Sequence, residues 1–159
     1  MAKSSEPQAE VRAMFSDAEL AELAANKLKH GDDKPDALGH ARAWEIHVEK
    51  IDNDRALPWG DHSVWTEHDL AAAMFIRDFV EDDLRQLRPG LAEKVRRYVT
   101  RTDERFKSFT VEDSGQRMGQ IAGVRMTGRG MEGRGWWWFR VPTSGPIVRD
   151  LAWYDTHGF

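Results

Sequence analysis

The sequence predicts an α+β fold in which about four N-terminal helices pack on one face of a C-terminal antiparallel sheet of about four strands. Between residues 16 and 105, apolar residues recur every three or four positions, which is the period of an amphipathic helix. From residue 106 onward they tend to alternate, which is the period of a strand, and glycine or proline separates the alternating runs. We therefore assign residues 15–159 to a single domain, helical over 16–105 and β-rich over 106–159, after a polar disordered tail at 1–14.

The first two helices carry clear start signals. Ser16 followed three residues later by Glu19 is a capping box, so a helix should begin there and run to about residue 30, where Gly31 stops it. Pro35 suits the first turn of a second helix. The apolar residues of this second helix repeat at spacings of four and three, which makes one continuous stripe: Ala37, Ala41, Trp44, Val48 and Ile51.

The third helix repeats the signature of the first. Thr66 with an acidic residue three positions on predicts a start, and the helix should run to about Leu87, before Pro89 and Gly90 break the chain. Its predicted core face consists of Ala72, Phe75, Ile76, Phe79, Val80, Leu84 and Leu87, and its predicted solvent face of Asp78, Glu81, Asp82, Asp83 and Arg85. A fourth helix should end near residue 105, with Leu91, Val95, Tyr98 and Val99 facing inward.

Four strands are predicted in the last third of the chain. Alternation of apolar and polar residues places them at 106–112, 117–126, 136–141 and 147–154. The glycine-rich segment 127–135 should form the mobile tip of a hairpin.

This hairpin contains the main candidate for a binding surface. On a strand, Trp136, Trp138 and Arg140 would share one face, next to a loop of glycine and arginine. Trp and Arg are the residue types most enriched at interface hot spots. The predicted partner-binding residues are Arg125, Arg129, Arg134, Trp136, Trp138 and Arg140. The alternative interpretation is that the three tryptophans are packing residues with the arginine stems lying over them.

Charge indicates the kind of partner that this hairpin would bind. Residues 114–159 contain six arginines, no lysine and three acidic residues, whereas the chain as a whole has a net charge of −4. The sequence therefore favours an acidic protein partner, and single-stranded nucleic acid is the alternative, because aromatic rings beside arginines also stack bases.

The histidines form a weaker second candidate site. His40 and His47 lie seven positions apart on the second helix, and His62 and His68 flank the start of the third. Their spacing matches none of the known metal-ligand patterns, so we predict no metal site and no cofactor. The chain has no cysteine, which excludes disulfides, thiolate metal sites and a cysteine nucleophile.

Three functions remain open on these observations. The leading hypothesis is a non-enzymatic binding protein with a regulatory, adaptor or immunity-type role, whose Arg/Trp hairpin binds an acidic partner. The second is a small enzyme or ligand-binding protein with a pocket lined by Trp and His between sheet and helices. The third is a single-stranded nucleic-acid binder.

Residues 1–10 are polar, and the longest apolar run, 70–76, is too short to span a bilayer, so we expect a cytoplasmic protein.

Overall fold

The computed structural model describes residues 7–27, 33–124 and 130–159, and these residues are mainly helical. They form seven α-helices, one 3₁₀ helix and one two-stranded sheet. The α-helices are α1 (Ala9–Arg12), α2 (Asp17–Lys27), α3 (Ala37–Asp54), α4 (Glu67–Gln86), α5 (Pro89–Ser108), α6 (Arg117–Ile121) and α7 (Pro146–His157). The strands are β1 (Thr110–Glu112) and β2 (Arg140–Pro142), and the 3₁₀ helix is Trp136–Phe139.

The chain forms two compact units. The first comprises the residues up to Ile46 together with Ile76–Asp103, and the second comprises His47–Phe75 together with Glu104–Phe159. Each unit is therefore built from two separate stretches of the sequence.

Local capping interactions begin two of the long helices where the sequence predicts. In the first unit, Ser16 and Glu19 form a reciprocal capping box: the Glu19 amide donates to Ser16 Oγ (3.1 Å) and the Ser16 amide donates to Glu19 Oε1 (2.9 Å). In the second unit, the Thr66 amide donates to Asp69 Oδ2 (2.8 Å). Lys94 and the Ser16 amide both bind Glu19 and lower its pKa to about 2. The predicted end of the first helix and its stop at Gly31 lie outside the described residues.

A buried arginine organises the first unit. The Arg77 guanidinium donates to both carboxylate oxygens of Asp103, each at 2.9 Å, and to Glu81 at 2.9 Å. The Trp44 indole Nε1–H donates to the same Asp103 carboxylate, also at 2.9 Å. Burial alone would lower the pKa of Arg77, but its hydrogen bonds to Asp103 and Glu81 raise it. This network therefore connects α3, α4 and α5 through one charged centre.

The second unit holds the two-stranded sheet. Strands β1 and β2 pair antiparallel, with Val111 opposite Val141 at the centre of the register. Arg140 strengthens this pairing: its Nε–H donates to Thr110 Oγ1 (2.8 Å) and its Nη2–H to the Thr110 carbonyl (2.6 Å).

The prediction of a four-stranded sheet is wrong, and two helices account for most of the difference. Residues 147–154 lie in α7, because Pro146 occupies its first turn and the buried residues Ile147 and Leu151 are four positions apart. Residues 117–121 form α6, and the Asp113 carboxylate accepts the Met118 amide of its first turn at 2.9 Å.

The other two predicted strands, 106–112 and 136–141, are shorter than expected, because helical structure takes the place of their first residues. Residues 106–108 continue α5, in which Tyr98, Thr102 and Phe106 are all buried at a spacing of four. Of the predicted strand 136–141, only its last two residues are extended, since Trp136–Phe139 is a 3₁₀ helix. The described residues therefore do not form a large sheet with helices packed on one face.

Some predicted burial is also corrected. Ala72 and Phe79, predicted to face the core, are exposed (Phe79 to 49%), whereas Asp83, predicted to face solvent, is buried. Asp83 is buried because its Oδ2 pairs with His40 Nδ1 at 2.5 Å. Val11, in the segment predicted to be a polar tail, is buried within α1.

We expect the Arg77 network to dominate the stability of the first unit. Arg77→Met should lower the free energy of unfolding by about 3–5 kcal/mol, because it leaves the carboxylates of Asp103 and Glu81 without their buried partner. Arg85→Met, on the same helix, is the matched control and should cost less than about 0.5 kcal/mol, because the Arg85–Asp82 pair is exposed. Urea unfolding measures both, and equal midpoints would contradict the assignment.

Candidate functional site

The structure places Trp136 and Trp138, two residues of the predicted Arg/Trp surface, on a 3₁₀ helix rather than on a hairpin strand. Arg125 and Arg129 lie outside the described residues. Trp136, Trp138 and Arg140 do not form one strand face, because Trp136–Phe139 is helical. The alternation on which the predicted surface depends is therefore absent.

Trp138 is a packing residue of the second unit. Its side chain has 0% exposure, and its ring meets Phe75 edge to face with the centroids 4.9 Å apart. The Arg134 guanidinium lies 5.6 Å from the Trp138 centroid, and Arg134 Nε–H donates to the Gly130 carbonyl at 3.3 Å. In this conformation the Trp138 ring cannot contact a partner, and the arrangement fits the packing interpretation for this tryptophan.

Trp136 and Arg140 differ from Trp138 and from each other. Trp136 is half-buried, and Lys107 Nζ lies 4.5 Å from its ring centroid. Arg140 is engaged with Thr110, as described above, and with the Lys107 carbonyl. Binding of an acidic partner by the residues that remain accessible stays a prediction.

The histidines occupy separate local environments. Within the first unit, His40 pairs with Asp83 and lies 5.5 Å from the Phe79 ring. Within the second, His47 contacts the Trp65 ring (4.8 Å) and His68 Nε2 lies 3.2 Å from Glu67 Oε1. No group of three or more His, Asp or Glu side chains in the described ranges is arranged to hold a metal ion.

A groove on the second unit brings together a different set of side chains. Its volume is about 620 Å³. We call it the α7 groove, and its lining consists of Trp59, Glu67, Arg149, Asp150, Ala152, Trp153, Tyr154, Thr156 and His157. Seven of these residues lie on α7, one begins α4, and Trp59 lies in the loop between α3 and α4.

Gly145 positions the start of α7 beside this loop. A Cβ atom at position 145 would lie 2.7 Å from the Arg55 Cα, and the Gly145 φ angle is +99°, a conformation that favours glycine. Arg55 also binds this turn, through its Nε–H to Ser144 Oγ at 3.1 Å. The close approach therefore needs a residue without a side chain.

Two carboxyl groups lie side by side in the α7 groove, and each accepts a hydrogen bond from an aromatic residue. The Trp59 indole Nε1–H donates to Asp150 Oδ1 at 2.9 Å, and the Tyr154 hydroxyl donates to Glu67 Oε1 at 3.0 Å. Burial, followed by the neighbouring Glu67, raises the pKa of Asp150. Burial and Glu67 also raise the pKa of Tyr154, which keeps its hydroxyl a donor.

Aromatic rings form the remaining wall. Trp153 stacks on His157 with centroids 4.2 Å apart, and Tyr154 stacks on Phe159 at 5.2 Å. The Arg149 guanidinium carbon lies 4.5 Å from the Trp59 centroid, a cation–π geometry. The groove thus combines exposed aromatic surface with paired carboxyl groups.

Sequence reasoning missed the α7 groove. Its residues 149–154 fall in the predicted strand 147–154, which would place Asp150 and Trp153 on opposite faces of a sheet. The available signal was Gly145-Pro146 followed by Ile147 and Leu151, which is a helix start and a helical spacing. Nothing in the sequence indicated the approach of Trp59 and Glu67, which are 91 and 87 residues from their partners.

The chain matches no protein-family model, and the comparisons with curated proteins and with solved structures found no match. Among the helices that the structure describes, none combines the length and the apolar character needed to cross a membrane.

We expect Trp138 and Trp136 to respond differently to truncation. Trp138→Ala should lower the free energy of unfolding by about 3–5 kcal/mol, because it opens a cavity beside Phe75. Trp136→Ala, in the same 3₁₀ helix, is the control and should cost clearly less because its ring is partly exposed. Urea unfolding followed by circular dichroism measures both losses, and a Trp138→Ala variant as stable as the parent would show that this ring is a surface residue.

Proposed function

We propose that the protein is a non-enzymatic binding protein and that its α7 groove recognises an organic cation, namely an ammonium or guanidinium group. The observation that carries this proposal is the pairing of the Glu67 and Asp150 carboxyl groups beside the exposed rings of Trp59 and Trp153. A cation placed there would meet carboxylate oxygens on one side and aromatic faces on the other, and both attract positive charge.

The size and exposure of the groove support binding of a ligand. Binding sites for small ligands occupy roughly 300–1,000 Å³, and the α7 groove falls within this range at about 620 Å³. Trp153 and Trp59 are about half exposed, although large apolar rings usually gain free energy by burial. A ligand that covers these rings would therefore recover apolar burial as well as charge pairing.

The chain itself provides an internal example of this recognition. The Arg149 guanidinium already lies against the Trp59 ring in the same groove. Asp150, beside it, is engaged by the neutral indole N–H of Trp59 and by Glu67. The carboxyl pair is therefore the part of the groove where a second positive charge would be most favourable.

This proposal retains the binding-protein class and changes the surface and the charge of the ligand. The sequence favoured an acidic partner for the Arg/Trp segment, but Trp138 is buried and Arg140 is engaged within the protein. The most exposed tryptophans of the second unit lie instead beside carboxyl groups.

Titration with N-acetyl-arginine amide tests the proposal, and the isosteric neutral N-acetyl-citrulline amide is the matched probe. We expect the arginine compound to shift the indole N–H resonances of Trp59 and Trp153 in nuclear magnetic resonance spectra and to spare that of Trp138. Trp153→Ala should weaken binding by roughly 3- to 30-fold, the effect of losing one cation–π contact. Phe79→Ala, which removes an exposed ring outside the groove, is the control variant.

Equal shifts with the citrulline compound would contradict cation recognition. Shifts that spare Trp59 and Trp153 would contradict the location of the site.

Binding should also depend on pH through Asp150. Its raised pKa means that, in mildly acidic solution, more of this carboxyl is protonated than in an ordinary aspartate, for which the pKa is about 3.9. A cation binds the carboxylate form better, so the affinity for N-acetyl-arginine amide should rise as the pH rises through the Asp150 pKa and then level off. Calorimetry across this pH range measures this rise in affinity.

Asp150→Asn should remove the rise in affinity with pH and should weaken binding at neutral pH. The other charged or titratable groups at the groove are Glu67, His68, Arg149, Tyr154 and His157, and Arg149 stays charged across this pH range. His68→Gln and His157→Gln separate their contributions, since a histidine would also repel a cation when protonated. If the affinity of Asp150→Asn still rises with pH by the full amount, another group controls the pH dependence.

A further inference from the structure

Two consecutive residues of α7 hold the Trp59 ring. Asp150 accepts the indole Nε1–H at 2.9 Å, and the Arg149 guanidinium carbon lies 4.5 Å from the ring centroid. Asp150 therefore binds an edge of the ring, and Arg149 covers a face of it. Trp59 nevertheless remains 50% exposed.

Arg149 is thus a cation that already lies where a cationic ligand would bind. Both Arg149 and Trp59 line the α7 groove. A cation–π contact needs the cation over a ring face, and Arg149 covers a face of Trp59. Its guanidinium also repels a second cation that approaches Asp150, the next residue along the helix.

The Arg149 side chain can leave the ring at small cost. It is exposed, and among the residues that the structure describes no carboxylate forms an ion pair with it. Arg117 of the same unit is different, because its guanidinium pairs with both Asp113 and Asp155. Release of Arg149 gives up one exposed cation–π contact, which changes an equilibrium constant by roughly 2- to 5-fold.

We propose that Arg149 is an internal competitor: in the free protein it covers a face of Trp59, and a cationic ligand that binds the α7 groove displaces it. This inference rests on the proposed function, because it concerns the same groove and the same class of ligand. Since the ligand binds only when Arg149 has left the ring, the parent protein shows a lower affinity than the unobstructed groove would have.

Calorimetric titration of the full chain with N-acetyl-arginine amide tests the proposal. Arg149→Gln removes both the charge and the cation–π contact, so it should tighten binding by about 3- to 10-fold. Arg149→Lys keeps a positive charge that can lie over the ring, so it should tighten binding clearly less. Arg85→Gln, which removes an exposed arginine of the first unit, is the control for net charge and should leave the affinity unchanged.

Nuclear magnetic resonance of the Arg149 side chain measures the displacement itself. In the free protein, the ring current of Trp59 should shift the Arg149 Nε–H resonance upfield, and Trp59→Ala should abolish this shift without any ligand. Saturation of the parent with N-acetyl-arginine amide should move the resonance to the position of an exposed arginine.

The outcomes separate the competitor from the proposed function. If the parent binds the compound and Arg149→Gln binds it no more tightly, or if the Arg149 resonance stays in place at saturation, Arg149 is not a competitor and cation recognition stands. If Arg149→Gln binds the compound and the parent does not, Arg149 is a competitor strong enough to close the groove. If neither protein binds it, the proposed function is wrong and the competitor is overturned with it.

Discussion

The fold of the first unit depends on a buried positive charge, the Arg77 guanidinium. Moving a guanidinium into the protein interior costs several kcal/mol, and only close carboxylates with good geometry can offset that cost. Arg77 has Asp103 on two of its nitrogens and Glu81 on a third, and Asp103 in turn accepts the Trp44 indole. Helices α3, α4 and α5 each contribute a side chain to this network, so none of them can shift along its axis without breaking a buried hydrogen bond. An apolar contact at the same place would tolerate such a shift, because dispersion has little directionality.

The helical region was largely predictable because its signals are local. A capping box needs only Ser16 and Glu19, and an amphipathic stripe needs only its own spacing, so both can be recognised without tertiary structure. The polar network could not be recognised in the same way. On the predicted helix, Asp83 reads as solvent-facing, but His40 supplies its partner from 43 positions earlier in the chain. Arg77 likewise binds Asp103, which is 26 positions away on another helix.

The C-terminal region was mispredicted for a physical reason. Three consecutive tryptophans have no periodicity of their own, and aromatic residues are common in strands, so local preference favoured a strand for Trp136–Trp138. Packing of Trp138 against Phe75 and its hydrogen bond to Gly135 favour a 3₁₀ turn instead. The α7 groove combines both difficulties. Its helix was mistaken for a strand, and the Trp59–Asp150 contact joins residues that are 91 positions apart.

The shape of the α7 groove depends on position 145 having no side chain. Any Cβ at this position would meet the Arg55 backbone, and Arg55 begins the stretch of chain that leads to Trp59. The turn before α7 therefore brings the Gly145 backbone so close to Arg55 that no side chain fits between them. Every missense change of its codon would separate the two backbones while leaving all nine groove-lining residues unaltered. The geometry of the groove can therefore be disturbed by a substitution at a residue that does not line it.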